Sequence, residues 1–458
     1  MFMKMRGKLR YLHIVGLLLI LQSCGKDWLE AKPDKGLIVA GSIKDYQALL
    51  DNSGLFNNFQ AVGLGEIGAG DFYITPSAWG ALFNVQERSA YIWEQTSNFY
   101  KGERSSDWEN AYKRILNANI VLEGIEKVKP AGNEQQEWKN VKGSALFFRA
   151  FDFYNLAQEY CMAYRPATAI KDLGLPLRLE SDVNVNVKRS NLLQTYDQII
   201  ADLKIAAGLL GTRPLYKTRP SKEAVYALMA RTYLSMENYD EAGVYANLAL
   251  QIQSDLMDYA KINNVGTYPI SRFNSEVIFH STFSYGIFNI SRLTVEPALY
   301  GDYALADYRR SLFFTTNANG MTFRGNYGND KNLFGGLATD ELYLIRAECN
   351  ARKGKTLLAL ADLNLLRRNR WKGNYQDLES IDPEVVLGYV LKERRKELLF
   401  RGLRWSDLRR LNRDNRFAVT LNRTLNANTY TLQPNDGRYV FPIDEEELRL
   451  SGIEQNLR

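Results

Sequence analysis

The sequence predicts a mainly α-helical protein in which helical hairpins form a scaffold, with irregular, aromatic-rich segments and a few short strands inserted between them. In residues 221–252, small and apolar residues recur at helical spacing on both sides of a tight turn. The same pattern returns in residues 341–368, and the stretch between the two copies has no helical period. With 458 residues and 45% hydrophobic content, the chain can bury a large core.

Small residues in the first hairpin indicate how its helices pack. Ala230 and Ala242 allow two helix backbones to approach closely. Tyr226, Tyr233 and Tyr239 fill the groove between them, as in a tetratricopeptide repeat, which this segment resembles. One copy alone is equally compatible with an ordinary helical hairpin. Two copies about 120 residues apart favour a repeat-like scaffold, because one repeat cannot bury its own apolar face. In the second copy, the corresponding positions are Tyr343, Ala347, Gly354, Ala359 and Leu363.

Residues 1–23 match a signal peptide of the lipoprotein type. Four basic residues precede an apolar run from Tyr11 to Leu21, which leads into Gln22, Ser23 and Cys24. This run is about half the length that a membrane-spanning helix requires. Cleavage before Cys24 leaves its thiol to carry a lipid anchor, and several acyl chains on one N-terminus make such an attachment stable. We therefore predict lipid attachment at Cys24.

Changes in composition divide the rest of the chain into three regions. Residues 24–254 form an N-terminal helical region, residues 255–339 form an irregular, loop-rich insertion, and residues 340–458 form a C-terminal helical region. The N-terminal region also contains an irregular block of its own, residues 55–104, which is rich in glycine, asparagine and aromatic residues. Loops on a rigid scaffold commonly carry function.

The composition argues against several classes of function. The formal charge is +6, but the four basic residues of the signal peptide supply most of it, so the mature chain gives no reason to expect a nucleic-acid partner. His280 is the only histidine after the signal peptide, and Cys161 and Cys349 lie far apart. A zinc site or a Ser-His-Asp triad therefore lacks residues. We predict no cofactor and no metal, and nothing in the sequence indicates a structural calcium ion.

Carboxylate pairs are harder to exclude, because a glycosidase needs only two of them at a suitable separation. No local pattern singles out such a pair among the 52 acidic residues. The alternation of charge at Glu393, Arg394, Arg395 and Glu397 is typical of an ion-pair network on a helix. We predict that the protein is not an enzyme, and we keep a lipid-anchored glycoside hydrolase as the less favoured alternative.

Several segments, taken in order, resemble the SusD/RagB family of outer-membrane nutrient-binding lipoproteins. The most specific of them is Glu393 to Leu398 followed by Gly402 to Arg410. The others are Cys24 with Trp28-Leu29-Glu30, Trp108 to Asn119, residues 143–160, Gly174-Leu175-Pro176, the two hairpins, and Val440-Phe441-Pro442-Ile443. Each segment alone is weak evidence, whereas their shared order along nearly the whole mature chain is specific.

The resemblance implies a function. Members of this family capture an oligomeric nutrient, usually a glycan, at the cell surface and pass it to a SusC-type TonB-dependent transporter in the outer membrane. The helical repeats would face the transporter and the irregular segments would build the ligand site. One alternative within the family is a RagB-like protein that captures peptides, which would favour a more charged or strand-edge site. Another is a repeat scaffold that only assembles proteins and binds no small ligand.

The irregular blocks contain the residues that we predict to bind an oligosaccharide. A sugar ring offers an apolar C–H face on which Trp or Tyr stacks, and hydroxyl edges to which Asp, Asn and Arg form hydrogen bonds. Trp79 has small neighbours and is expected to be the most exposed, whereas Trp93 is the one most expected to be a core residue. The predicted residues are Asp71, Tyr73, Trp79, Trp93 and Asn98 in the first block, and Tyr285, Asn289 and Arg292 in the second.

Overall fold

Helices dominate the structure, a computed structural model that describes residues 40–95 and 99–458. Residues 42–458 belong to one unit. The helices are α1 (Ile43–Leu50), α2 (Ser53–Phe56), α3 (Leu64–Gly68), α4 (Pro76–Gly80), α5 (Val85–Tyr91), α6 (Ser106–Ile125), α7 (Gln135–Tyr160), α8 (Leu192–Leu209), α9 (Lys222–Ser235), α10 (Tyr239–Ile252), α11 (Pro297–Gly301), α12 (Arg309–Leu312), α13 (Thr339–Arg352), α14 (Thr356–Arg368), α15 (Pro383–Glu397), α16 (Arg404–Leu411) and α17 (Glu445–Ser451).

The strands are short and pair two by two. They are β1 (Phe72–Tyr73), β2 (Leu173–Pro176), β3 (Arg189–Asn191), β4 (Val277–Phe279), β5 (Thr282–Phe283), β6 (Thr294–Val295), β7 (Phe314–Asn317), β8 (Gly320–Phe323), β9 (Leu333–Phe334), β10 (Leu337–Ala338), β11 (Leu421–Leu425) and β12 (Asn428–Leu432). The pairs are β1 with β6, β2 with β3, β4 with β10, β5 with β9, β7 with β8 and β11 with β12, all antiparallel. This confirms a mainly α-helical fold with a few short strands.

The first predicted hairpin is formed by α9 and α10. The side chain of Ser221 caps α9, and Asn238 caps α10 by accepting a hydrogen bond from Glu241 N at 3.1 Å. Ala230 and Ala242 are fully buried, as expected for a close approach of the two backbones. Tyrosine rings fill the adjacent space, since Tyr233 and Tyr245 stack with their centroids 5.6 Å apart.

The second predicted hairpin is formed by α13 and α14, and it packs directly on the first. Helix α10 lies against α13, where a Cβ added at Gly243 would lie 3.2 Å from the Cβ of Cys349. Leu344, Ala347 and Leu363 are buried in a core that α15 completes. The two hairpins are therefore neighbours in space although residues 253–338 separate them in sequence, which confirms the tetratricopeptide-like scaffold.

Helices α6, α7 and α8 form the other helical layer. Helix α7 packs against both α6 and α8. Two buried ion pairs cross these contacts: Arg114 with Asp152 at 2.7 Å and Arg149 with Asp202 at 2.8 Å. Nearly every residue of α7 beyond Val141 is buried, which explains why this helix shows no single apolar stripe.

Buried ion pairs connect the irregular insertion to α15. Arg309 donates to Asp307 at 2.7 Å and to Glu397 at 2.5 Å, and it also pairs with Glu393. Arg370 bridges Glu276 and Glu397 at 2.8 and 2.7 Å. The charge cluster predicted on this helix is thus a buried network, in which the planar guanidinium groups bind several carboxylates at once.

Helix α3 is a short buried helix that connects the first irregular block to α16. Gly65 and Gly68 lie on the indole of Trp405, where an added Cβ would come within 2.9 and 2.7 Å of ring atoms. Glu66 is buried between them and accepts a hydrogen bond from Gly402 N at 3.0 Å. Burial and the neighbouring Asp71 raise the pKa of Glu66 to about 8, so this carboxyl group is neutral at pH 7.

Removing Arg309 should destabilise the protein strongly. Arg309→Met leaves the buried carboxylates of Glu393 and Glu397 without their shared cation, which costs about 3–5 kcal/mol in the free energy of unfolding. Urea denaturation measures this loss. Arg368→Met is the matched control, because Arg368 forms its ion pair with Asp377 at the surface and should change the midpoint little. Equal midpoints for the two variants would contradict the structural role of the network.

Replacing Glu66 should stabilise the protein at alkaline pH only. The raised pKa means that the folded state holds the Glu66 proton more tightly than the unfolded chain does. The resulting stabilisation of the folded state is complete below about pH 4.5 and is lost as the pH rises through about 8. Glu66→Gln keeps an acceptor for Gly402 N and has no proton to lose. At pH 9 we expect the free energy of unfolding of this variant to be larger than that of the native protein by on the order of 4 kcal/mol.

The measurement compares urea denaturation curves at pH 5 and pH 9. At pH 5 the two proteins should be nearly equally stable, because the native carboxyl is then protonated. Glu109→Gln, at an exposed position, is the control and should show no comparable pH dependence. A stability difference of the same size at both pH values would show that Glu66 does not titrate as described.

Candidate ligand-binding site

Strand pairing brings the two aromatic-rich blocks together. In the β1–β6 pair, Phe72 faces Val295 and Tyr73 faces Thr294. The hydroxyl of Tyr73 donates to the carbonyl oxygen of Asn319, in the turn between β7 and β8, at 3.3 Å. Three segments therefore meet at one surface, although the first and the last of them are more than 200 residues apart in sequence. Each segment contributes loop residues to this surface.

Glu87 holds the second block against the first. Its carboxylate is buried in α5 and accepts hydrogen bonds from Ile287 N at 2.6 Å and from the amide of Asn84 at 3.1 Å. The pKa of Glu87 is raised overall, because the effect of burial is larger than the opposing effect of these hydrogen bonds. Arg292, which lies nearby, donates to the carbonyl of Gly286 at 3.0 Å and thereby closes the turn 286–292.

The β7–β8 turn is fixed by one asparagine. The side-chain amide of Asn317 donates to the carbonyls of Ile290 and Leu293 at 3.1 and 2.9 Å. Its side-chain oxygen accepts from the backbone N–H groups of Asn319 and Gly320 at 2.8 and 3.1 Å. We call the surface that results the Trp79 surface. It comprises Tyr73, helix α4, the loop 81–84, the turn 286–292 and the turn 317–320.

Four of the predicted ligand-binding residues are accessible on the Trp79 surface. Trp79 is half-buried, and its indole N–H donates to the carbonyl of Arg88 at 3.2 Å, so the orientation of the ring is fixed. Tyr73 and Arg292 are also half-buried, and Asn289 is exposed. The side-chain oxygen of Asn289 accepts from Ser291 N at 3.0 Å and from the Ser291 hydroxyl at 2.8 Å, and its amide has no acceptor among the described residues.

Three other predicted residues are buried, and their polar atoms are used inside the protein. Asp71 is 1% exposed and binds the guanidinium of Arg395, with contacts at 3.0 and 2.6 Å. The indole N–H of Trp93 donates to the carbonyl of Gly68 at 3.0 Å, which agrees with the expectation that this tryptophan is a core residue. The hydroxyl of Tyr285 pairs with that of Ser106 at 3.0 Å. None of the three offers a face to a ligand at this surface, because tertiary packing covers them.

Asn98, the remaining predicted residue, and the lipid-attachment residue Cys24 lie outside the described ranges. The Trp79 surface also includes one accessible aromatic residue that was not among the predicted ones. Phe83 is 92% exposed and directly follows the buried Leu82, whose carbonyl binds the side chain of Arg88. A fully exposed aromatic ring is unusual, and Phe83 adds a second apolar ring to the Trp79 surface. The sequence signal was the placement of Phe83 between a small-residue turn and Asn84.

Two groups of acidic residues resemble metal-binding or catalytic sites, and both make structural contacts. Among the described residues, Glu276, Asp340 and Glu397 lie close enough together to hold a metal ion. Arg370 and Arg401 already neutralise them, with Arg401 binding Asp340 at 3.0 Å. Tyr327 also donates a hydrogen bond to Glu276 at 2.5 Å. The group is therefore best described as part of the buried ion-pair network.

The second group is a pair of buried carboxyl groups at the N-terminus of α3. Asp107 accepts from Gly63 N at 2.8 Å and from Leu64 N at 3.1 Å, and Glu159 accepts from Gly65 N at 2.8 Å. Burial raises the pKa of both, as in the acid of a glycosidase, but both cap a helix in the interior. His280 is likewise buried, and desolvation lowers its pKa to about 4, which agrees with a core histidine.

Within the described residues, no helix is both long enough and apolar enough to cross a membrane. Comparison with known families and structures adds independent evidence. The sequence profile of a family described as starch-binding and associating with the outer membrane matches residues 27–234, and the profile of the SusD family matches residues 339–457. The SusD-like protein P2 of Formosa agariphila is 22% identical over 426 residues, which cover 78% of this chain and 81% of that protein.

Solved structures show the same fold. A SusD superfamily protein from Bacteroides thetaiotaomicron matches with a TM-score of 0.74 and 20% identity, covering 91% of this chain and 100% of that one. A putative sugar binding protein from Bacteroides vulgatus matches with a TM-score of 0.73 and 18% identity, covering 92% and 99%. Because the two profiles together match well over half of the sequence, at its two ends and in the expected order, the chain belongs to the SusD/RagB family.

Proposed function

We propose that this protein is a cell-surface lipoprotein that binds oligosaccharides and delivers them to a SusC-type TonB-dependent transporter in the outer membrane. The observation that carries the proposal is the Trp79 surface, which combines the accessible rings of Trp79 and Phe83 with the polar side chains of Asn289 and Arg292. Glu87 joins the two segments, because its carboxylate accepts hydrogen bonds from Asn84 and from Ile287 N. Flat apolar faces beside hydrogen-bonding groups suit the two chemical aspects of a sugar ring. The family that matches residues 27–234 is described as starch-binding, which supports the same class of ligand.

The Trp79 surface is also rigid, which favours binding without a large loss of conformational entropy. The indole hydrogen bond of Trp79 fixes one ring, Glu87 fixes the turn 286–292, and Asn317 fixes the neighbouring turn. A surface organised before binding retains more of the interaction energy as affinity. We infer that the ligand stacks on a largely preformed site.

We further propose that the protein acts by binding and transfer, with no catalytic step, and that Cys24 carries the lipid that holds it at the outer membrane. The transporter would contact the helical scaffold. Support for such a contact comes from the outer face of α14, where Leu357 and Leu358 are exposed, and from Ile381 close by, which is 92% exposed. Exposed apolar side chains that cluster in this way are typical of a surface that another protein covers.

Removing the Trp79 ring should weaken oligosaccharide binding. Trp79→Ala loses a stacking face worth about 2 kcal/mol, so the dissociation constant for the best-bound oligosaccharide should rise more than tenfold. Titration calorimetry of the soluble chain from Gly25 onward measures this against a panel of oligosaccharides and peptides. Phe83→Ala should act in the same direction. Tyr216→Ala is the control, because Tyr216 is an exposed aromatic residue outside the Trp79 surface.

The panel separates the alternatives. Peptide binding without oligosaccharide binding would favour a RagB-like peptide-capture protein. Release of shortened sugars during the titration would indicate a glycoside hydrolase. Silence across the whole panel would leave only the scaffold role, and unchanged affinity in Trp79→Ala at an unchanged melting temperature would exclude the Trp79 surface as the binding site.

Loss of the lipid anchor should release the protein from the membrane. In Cys24→Ser the thiol that would be acylated is gone, so cells fed a radiolabelled fatty acid should no longer label the protein, and it should leave the membrane fraction. The control is Cys161→Ser, which removes a buried thiol in the fold instead. Continued labelling and membrane association of Cys24→Ser would contradict anchoring at this residue.

A further inference from the structure

A cavity of about 240 Å³ is open to solvent at helix α12. It is lined by residues 305–308, Arg310, Ser311 and Lys372. Asp307 and Trp371 form an antiparallel bridge between these segments, and Lys372 N donates to the carbonyl of Ala306 at 2.7 Å. The walls of the cavity are therefore held by backbone pairing rather than by side chains alone.

Two cations on these walls have no carboxylate partner. In the part of the chain that the structure describes, neither Arg310 nor Lys372 forms an ion pair. Arg310 is nevertheless fixed, because its Nη1 donates to the carbonyl of Tyr303 at 2.7 Å and its guanidinium lies 4.2 Å from the ring centroid of Tyr300. Its Nε and Nη2 have no acceptor among the described residues, so one edge of the guanidinium can receive a ligand.

The carboxylates closest in sequence to this cavity are occupied elsewhere. Asp307 contributes to its wall, but the carboxylate is buried and binds Arg309 and Lys396. Asp302 pairs with Lys392 at 2.7 Å. A third cation, Arg324, donates to the carbonyl of Ser311 at 2.7 Å and also has no carboxylate partner within the described ranges. Among the charged side chains named here, those without a carboxylate partner are therefore all cations.

The cavity is close in sequence to the Trp79 surface. Tyr300, on which Arg310 rests, is six residues after Thr294, the partner of Tyr73 in the Trp79 surface. Six residues span at most about 20 Å. The separation of Thr294 and Tyr300 is therefore within the length of an oligosaccharide chain. At about 240 Å³ the cavity is smaller than a pocket that encloses a drug-sized molecule, and it suits one unit of a longer ligand.

We propose that this cavity binds an anionic substituent, a carboxylate or a sulfate ester, of the captured oligosaccharide, with Arg310 and Lys372 as the recognising residues. A guanidinium with a free edge matches the planar geometry of a carboxylate and binds sulfate oxygens in the same two-point manner, and the ammonium of Lys372 adds a second charge. The inference rests on the proposed function and narrows its substrate class to acidic glycans.

The test compares oligosaccharides that differ only in charge. Titration calorimetry of the chain from Gly25 onward uses a neutral oligosaccharide, its uronate-containing counterpart, its sulfated counterpart and inorganic sulfate. We expect the native protein to bind at least one acidic form about tenfold more tightly than the neutral form. The double variant Arg310→Gln/Lys372→Gln should lose that preference and keep its affinity for the neutral form. The preference should also shrink at high salt.

The control Lys113→Gln/Lys129→Gln removes the same charge from two exposed positions outside the cavity and should retain the preference. Whether the uronate or the sulfated form binds more tightly identifies the substituent. Equal affinity of the double variant and the native protein for acidic forms would overturn the inference, as would binding of inorganic sulfate alone. Binding of neutral oligosaccharides only would overturn it while leaving the proposed function intact, whereas binding of no oligosaccharide would remove both.

Discussion

Buried charge holds together the parts of this protein that secondary structure cannot. The insertion between the two helical hairpins contains only short strands, so backbone hydrogen bonds within it cannot fix its position. Arg309 and Arg370 take over that role by binding Glu393 and Glu397 on α15 together with Glu276 of the insertion. Because each carboxylate is buried, loss of its cation is costly, and the network specifies one arrangement of the loops on the helices.

The placement of the loops in turn creates the surface to which we assign ligand binding. Once the insertion is anchored, β6 can pair with β1, and Glu87 and Asn317 can fix the turns on either side. The Trp79 surface is thus assembled from segments that are distant in sequence. This division between a helical scaffold and loops that it positions is a common basis for binding sites.

The cavity that we propose to bind an anionic substituent lies next to the same anchoring residues. Arg310 lies one residue beyond Arg309, so the segment that anchors the insertion also presents a cation to solvent. Arg309 is neutralised by buried carboxylates, whereas Arg310 rests on Tyr300 and one edge of its guanidinium has no acceptor in the described part of the chain. Adjacent residues of the same type therefore have opposite roles, one structural and one, as we propose, in recognition. The difference arises entirely from which side of the chain faces the protein interior.

The sequence by itself determined the helical scaffold, because the periodicity of residues 221–252 and 341–368 is a local property that burial of one face requires. It also predicted the role of the charge cluster at Glu393 to Glu397, which local alternation indicates. For most of the predicted ligand-binding residues, accessibility was decided only by tertiary structure. Asp71 and Tyr285 lie in the same irregular blocks as the accessible residues, yet they are covered by Arg395 and Ser106, far away in sequence. Trp93 is the exception, because its burial was expected from the sequence. Exposure in an irregular segment has no period, and so it depends on long-range packing that local sequence does not encode.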